Sequence, residues 1–134
     1  MATIYHNPRC GTSRNVLAML RAGNETVTVR DALTDLPGPE GLAAMIADAG
    51  LAVRQALRRK GTPHDALGLD DPALDDAALL AAIAAHPVLL NRPFVVTGLG
   101  TRLCRPSEVV FEIMANPPAQ FTKEDGETVR RQPS

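Results

Sequence analysis

One cysteine stands where a thiol would be reactive. Cys10 follows a short β-branched and aromatic run at residues 3–6 and precedes a helical pattern that begins at Thr12. A sulfur at the start of a helix lies beside backbone N–H groups that have no partner within the helix. Such a position lowers the pKa of a thiol from about 8.5 and favours the nucleophilic thiolate. The sequence therefore predicts a reactive thiol at Cys10 in preference to a buried, inert cysteine.

The residues around Cys10 argue against two familiar thiol chemistries. Cys10 and Ser13 form a C-x-x-S pattern, so the second thiol of a thioredoxin-type dithiol is absent. Arg14 is too close to Cys10 for the C-x5-R phosphate loop of tyrosine-phosphatase-like enzymes. Cys104, the other cysteine, lies in a predicted strand and is interpreted as core packing. A reductase built on Cys10 alone would need an external thiol, and glutathione is the obvious candidate.

The segments around Cys10 predict a βαβ unit. Residues 3–6 and 26–29 have the pattern of strands, and residues 12–22 between them have a helical pattern. Two strands joined by one helix run parallel, with a right-handed crossover. Apolar stripes then predict three further helices, at residues 42–49, 53–57 and 79–83.

The rest of the chain predicts two more strands and a last helix. Residues 94–97 and 102–104 flank a Gly-Leu-Gly turn, which is typical of a hairpin, and Pro106 is placed at the first position of a helix. This order of elements predicts a thioredoxin-like α/β fold, with a four-stranded mixed sheet, flanking helices and an inserted helical region at about 39–86. We expect one domain over residues 1–134, with a flexible tail at about 119–134.

Charge and composition exclude several classes of protein. The 14 Lys and Arg against 15 Asp and Glu give a net charge of -1, which argues against a nucleic-acid-binding surface. No apolar run is long enough to span a membrane, and no signal-peptide pattern is visible, so we expect a cytoplasmic protein. The sequence has no dinucleotide fingerprint, phosphate-binding loop or metal-ligand spacing, so we expect no bound cofactor or metal.

Three arginines are candidates for binding an anion beside the thiol. Arg58 ends a predicted helix, Arg92 precedes Pro93 at the start of a strand, and Arg105 follows the strand that contains Cys104. In a thioredoxin-like fold, the turn at Pro93 faces the N-terminus of the first helix. Guanidinium groups there would offer forked donors to a tetrahedral oxyanion and would neutralise its charge.

Three segments together resemble the glutaredoxin-type arsenate reductases of the ArsC family. They are HNPRCGTSRN at 6–15, LNRPFVVTGLGTRLCRPSEVV at 90–110 and FTKEDGE at 121–127, and the resemblance runs over nearly the whole chain. It implies an oxidoreductase that reduces arsenate to arsenite in arsenical resistance, with glutathione as co-substrate and glutaredoxin as partner. One departure is Gly98, where the family's hairpin is expected to have proline.

The resemblance also implies roles for individual residues. Cys10 resembles the family's nucleophile, which forms a thiol–arsenate adduct. His6 and Ser13 resemble the residues that help to hold this cysteine as a thiolate, and Pro93 resembles the cis-proline of the fold. The anion-binding arginines of the family resemble Arg58, Arg92 and Arg105. Within residues 54–59, the neighbours Arg54 and Arg59 could be confused with Arg58.

Two alternatives share the predicted fold. The first is a related thiol reductase of unknown substrate, which an arsenate reduction assay would distinguish. The second is a transcription regulator similar to Spx, which binds RNA polymerase. Proteins of that kind usually have C-x-x-C near the N-terminus, whereas this chain has C-x-x-S at Cys10 together with the three arginines.

Overall fold

Four strands form a mixed sheet in the computed structural model, which describes residues 1–131. The strands are β1 (Ala2–His6), β2 (Val27–Asp31), β3 (Phe94–Thr97) and β4 (Gly100–Leu103), and their order across the sheet is β2-β1-β3-β4. β1 is parallel to β2, and β3 is antiparallel to both β1 and β4. The sheet is therefore the mixed, four-stranded sheet of a thioredoxin-like fold, as the order of elements predicts.

One face of the sheet is covered by the crossover helix between β1 and β2. This helix, α1 (Gly11–Ala22), buries Val16, Met19 and Leu20 in a layer that also contains Ile4 and Val95 from the strands. A 3₁₀ helix, Ser107–Ile113, completes the layer after β4. The i, i+3, i+4 spacing of the α1 residues is what turns one apolar stripe toward the sheet.

The opposite face of the sheet is covered by helices inserted between β2 and β3. Tyr5 and Phe94 are paired neighbours on adjacent strands, and both point to this face because side chains alternate along a strand. The inserted helices are α2 (Pro39–Asp48) and α3 (Asp76–Ala85), with 3₁₀ helices at Val53–Ala56 and Pro87–Leu89. Among the described residues, no helix combines the length and apolar character needed to cross a bilayer.

The inserted helices form a core layer of their own. Leu42 and Ile46 of α2 and Leu79 and Ile83 of α3 pack around Phe94. α3 begins after Asp75, whose carboxylate accepts the Ala78 backbone N–H at 2.9 Å. Each face of the sheet thus has a separate apolar layer.

The C-terminal segment is more structured than the sequence predicts. In place of the flexible tail expected at about 119–134, the chain forms an antiparallel hairpin of β5 (Gln120–Thr122) and β6 (Thr128–Arg130). Phe121 and Val129 are paired in this hairpin and pack against the layer that contains α1. The polar composition of this segment favoured the prediction of a flexible tail. The segment nevertheless contains the turn sequence Asp125-Gly126, in which Gly126 has a φ of 94°. Residues 132–134 of the expected tail lie outside the described residues.

Two of the predicted α-helices are 3₁₀ helices. Ser107–Ile113 replaces the last predicted helix, and Pro106 precedes it instead of occupying its first position. Val53–Ala56 replaces the helix predicted at 53–57. Short segments gain few i→i+4 hydrogen bonds, so packing against the sheet decides the backbone geometry there.

Gly23, at the end of α1, allows a close approach of the chain. A Cβ atom built there would lie 2.3 Å from Met114 Cε and 2.9 Å from the carbonyl oxygen of Asn116. We expect Gly23→Ala to lower the free energy of unfolding by about 1–3 kcal/mol, because backbone or side chain must shift. Urea denaturation measures the loss. Gly98→Ala is the control, since its Cβ would meet no atom within 4 Å; an equal loss in both variants would contradict the packing explanation.

Candidate active site

The turn between β1 and α1 presents Cys10 at the beginning of the helix. Cys10 caps α1 with extended backbone angles (φ -95°, ψ 119°), and its carbonyl oxygen accepts the Arg14 N–H at 3.0 Å. The Cys10 N–H donates to the Asn7 carbonyl oxygen at 3.0 Å, which closes the turn. Cys10 is only partly buried. The position agrees with the sequence-based prediction of a cysteine beside the free N–H groups of a first helical turn.

The pKa of Cys10 is lowered by its surroundings, which act in both directions. Partial burial is the largest single influence and by itself raises the pKa of the thiol. Hydrogen bonds from the Ser13 backbone N–H and from the guanidiniums of Arg92 and Arg105 favour the thiolate, and together they outweigh burial. Arg105 Nη1 lies 3.7 Å from the Cys10 Sγ. The site therefore supports a nucleophilic sulfur.

His6 and Ser13 contact each other beside the Cys10 turn. His6 Nδ1 and Ser13 Oγ are 2.7 Å apart, and the Asn7 backbone N–H donates to the same hydroxyl oxygen at 3.1 Å. Burial first, and then the charges of nearby arginines, lower the pKa of His6, so the neutral imidazole is favoured near neutral pH. These side chains hold the turn, whereas Ser13 reaches the sulfur of Cys10 through its backbone N–H.

Arg92 and Arg105 approach Cys10 from the paired strands β3 and β4. Phe94 is opposite Leu103 in this antiparallel pair, so the residues just outside the two strands meet at one end of the sheet. Arg105 Nη1 donates to the Arg92 carbonyl oxygen at 3.0 Å as well as approaching the sulfur. The pairing of β3 with β4 is thus what brings the two arginines together.

Arg92 carries a buried donor that has no acceptor among the described residues. Arg92 Nη1 donates to the Val88 carbonyl oxygen at 3.4 Å, but its Nε–H is buried and meets no acceptor in the part of the chain that the structure describes. A buried donor of this kind favours a ligand that supplies oxygen acceptors. The Arg92–Pro93 peptide is cis, as the resemblance implies, and Arg105–Pro106 is cis as well.

Arg58 is the third arginine at the site. Burial first, and then the positive charges of Arg92 and Arg105, lower the pKa of Arg58, while Cys10 acts in the opposite direction. Arg92, Arg105 and Cys10 are therefore the charged groups that act electrostatically on the Arg58 guanidinium. The Arg58 backbone N–H donates to the Leu89 carbonyl oxygen at 2.7 Å, which fixes the segment close to the strand that carries Arg92.

The neighbours of Arg58 that the sequence left as alternatives are engaged elsewhere. Arg54 donates at 2.7–3.0 Å to three backbone carbonyls of the following loop, those of Leu69, Asp71 and Leu74. Arg59 pairs with both Asp65 and Asp70. These carboxylates lie near His64 at a spacing that would suit a metal ion, but both already pair with the Arg59 guanidinium. Both arginines therefore stabilise the loop.

Cys104 has an environment opposite to that of Cys10. Cys104 is fully buried in the layer that contains α1. Burial, and then the charge of Glu112, raise the pKa of Cys104 to about 12. The interpretation of Cys104 as core packing is therefore confirmed, because a protonated, enclosed thiol is neither a nucleophile nor a resolving thiol.

Two charged residues near Cys10 received no role in the sequence analysis. Glu124, in the turn between β5 and β6 of the C-terminal hairpin, accepts hydrogen bonds from Arg14, which lies in the first turns of α1. A Cβ atom built at Gly11 would lie 4.0 Å from Glu124 Oε2, so this carboxylate is beside the residue that follows Cys10. Arg14 and Glu124 are 110 residues apart, so no short sequence pattern could indicate that they pair.

The fold and the position of Cys10 at the start of α1 together define a protein of the thioredoxin-like class. Comparison with known proteins gives the family: residues 5–113 match the model of the ArsC family, and the chain belongs to it. An arsenate reductase from Rhizobium meliloti (strain 1021) is 59% identical over 128 residues, covering 95% of this chain and 91% of the relative. One from Escherichia coli (strain K12) is 51% identical over 130 residues, with the same coverage of 95% and 91%. The solved structure of an arsenate reductase from Vibrio cholerae is 41% identical, with a TM-score of 0.79 over 84% of this chain and 96% of that one.

We expect Arg105→Gln to raise the pKa of Cys10, because the variant loses a donor and a positive charge 3.7 Å from the sulfur. Thiolate reactivity rises with pH through the pKa, so the midpoint of the alkylation rate moves to higher pH. Below that midpoint, each unit of pKa lowers the thiolate fraction about tenfold. Ultraviolet thiolate absorbance across a pH titration measures the shift.

Arg102→Gln is the matched control for this titration. Arg102 lies on β4 and pairs with the exposed Glu112 at 3.3 Å, so its loss should leave the Cys10 titration unchanged. Equal titrations of Cys10 in the wild type and in Arg105→Gln would contradict the role of Arg105.

Proposed function

We propose that this chain is an arsenate reductase that forms a thiol–arsenate adduct on Cys10. The observation that carries the proposal is the approach of Arg105 to the Cys10 sulfur at 3.7 Å, in a site shared with two further arginines. The nucleophilic sulfur of Cys10 and an anion-binding guanidinium would therefore act on the same substrate. The relatives named arsenate reductases, at 51–59% identity, support the choice of arsenate as the oxyanion.

Arsenate would bind among the guanidiniums of Arg58, Arg92 and Arg105. It is a tetrahedral oxyanion whose oxygens accept hydrogen bonds in several directions, and each guanidinium donates through a planar fork. The buried Nε–H of Arg92 supports this substrate class, since a bound oxygen would supply the acceptor that it lacks. The free N–H groups at the start of α1 would add donors from the other side.

The first chemical step would be attack of the Cys10 thiolate on arsenic. A sulfur–arsenic bond forms, an arsenic–oxygen bond breaks, and the oxygen leaves as water after taking up protons. Arsenic remains As(V) at this stage. The lowered pKa of Cys10 supports the step, because it increases the fraction of nucleophilic thiolate at any pH below that pKa.

The two electrons would come from external thiols. The chain has two cysteines, and Cys104 is buried with a pKa of about 12, so neither residue can resolve the adduct internally. Glutathione would add to arsenic and release a second water. Glutaredoxin would then attack the glutathione sulfur, forming a mixed disulfide and leaving the electron pair on arsenic as As(III). Hydrolysis of the As(III)–sulfur bond frees arsenite and restores Cys10. These reductants fit a cytoplasmic location.

We expect Cys10→Ser to abolish arsenate reduction, because a hydroxyl is a far weaker nucleophile than a thiolate. Arsenite release in the presence of glutathione and glutaredoxin measures the activity. Cys104→Ala is the matched control, and it should keep turnover within about twofold of the wild type if the protein folds. Turnover by Cys10→Ser would contradict the mechanism. A large loss of turnover in folded Cys104→Ala would show that an internal thiol takes part. No turnover by the folded wild type would favour a thiol reductase with another substrate.

Neighbouring arginines test the anion site. Arg58→Ala should raise the KM for arsenate by about tenfold or more, because a charge-assisted pair of hydrogen bonds to the anion is lost. Arg59→Ala should leave the KM near the wild-type value, because Arg59 pairs with Asp65 and Asp70. Steady-state kinetics of both variants give the comparison. A larger effect in Arg59→Ala than in Arg58→Ala would mean that the site uses a different arginine.

A further inference from the structure

The C-terminal hairpin is joined to the Cys10 turn through the side chain of Arg14. Arg14 Nε and Nη2 donate to the Glu124 carboxylate at 2.9–3.1 Å. The remaining branch, Nη1, donates to the Pro8 carbonyl oxygen at 2.8 Å. Pro8 belongs to the turn that presents Cys10. One guanidinium therefore connects the backbone of that turn to a carboxylate 110 residues along the chain.

The hairpin has other attachments that hold Glu124 in place. The Glu124 backbone N–H donates to Asn15 Oδ1 at 3.0 Å. Lys123, whose side chain is only 10% exposed, pairs with Glu108 at 3.0 Å. Phe121 packs against the core layer that contains α1. The carboxylate is thus presented from an element that is itself attached to α1, to Glu108 and to the core.

The exposure of the Arg14–Glu124 pair indicates that it orients nearby groups and adds little to the overall stability of the fold. The side chains of Arg14 and Glu124 are 43% and 51% exposed. Exposed ion pairs contribute little to overall stability, but a two-pronged contact between an arginine and a carboxylate defines the orientation of both groups. What this contact orients is the third branch of Arg14, which binds the Pro8 carbonyl.

We propose that Glu124 is a positioning residue for the nucleophile. It holds the Arg14 guanidinium on the Pro8 carbonyl and so fixes the turn in which the Cys10 sulfur meets its N–H and guanidinium donors. The inference rests on the role of Cys10 in the proposed function, but it concerns the state of the thiol before any substrate binds.

Removal of the Glu124 carboxylate has two effects of opposite sign on the Cys10 pKa. The loss of a nearby negative charge, acting through space, lowers the pKa of a thiol. The release of Arg14 loosens the turn, weakens the donors to the sulfur and raises the pKa. The direction of the shift therefore separates positioning from a simple field effect.

The experiment titrates the Cys10 thiol in Glu124→Gln by ultraviolet absorbance and by alkylation rate against pH. We expect the pKa to rise by about half a unit, a roughly threefold loss of thiolate below the pKa. Arg14→Lys keeps the positive charge but loses the fork, and it should raise the pKa as well. Asp125→Asn is the matched control: it removes the same charge from the same turn, and asparagine can still accept the Glu127 N–H.

A pKa that is unchanged or lowered in Glu124→Gln would overturn the proposal. So would an equal rise in Asp125→Asn. Thermal unfolding should give all three variants a Tm close to that of the wild type, because the groups involved are exposed, and a large fall in Tm that is specific to Glu124→Gln would show a structural role. Alkylation needs no arsenate, so this readout succeeds or fails independently of the proposed reductase activity.

Discussion

The balance of forces on the Cys10 sulfur is the constraint on which the rest of the structure depends. Burial at this turn raises the pKa of the thiol, and a thiol that stayed protonated would be inert. Donors must therefore be gathered around the sulfur from distant parts of the chain. Ser13 donates an N–H from the same helical turn, whereas Arg92 and Arg105 flank the strands β3 and β4, far along the chain.

The division of the sheet into two faces explains how these groups meet. α1 and the last 3₁₀ helix occupy one face, and the inserted helices occupy the other. The β3–β4 pair runs between the layers and ends in Arg92 and Arg105, while the insertion delivers Arg58 to the same edge through its hydrogen bond to Leu89. Two independent apolar layers thus stabilise the positions of residues that are themselves polar and partly exposed.

Arg58, Arg92 and Arg105 bring three positive charges to one site, where they repel one another. Arg92 and Arg105 both lower the pKa of Arg58, which shows that the cations repel one another. The Cys10 thiolate offsets part of this repulsion, and a bound oxyanion would offset more. Arg14 is a fourth guanidinium nearby, and its positive charge is offset by its pairing with Glu124. The net charge of -1 reveals nothing of this local arrangement.

The sequence by itself determined the features that depend on local order. Apolar periodicity indicated the strands of the four-stranded sheet and α1, and the position of Cys10 before a helix predicted a lowered thiol pKa, because both follow from backbone geometry within a few residues. Local order could not show which arginine of residues 54–59 is left beside the site, because Arg54 and Arg59 are engaged by the loop that follows them. Nor could it show that the polar C-terminal segment folds back to pair Glu124 with Arg14. Only the tertiary structure decided these points, because each depends on packing between segments that are far apart along the chain.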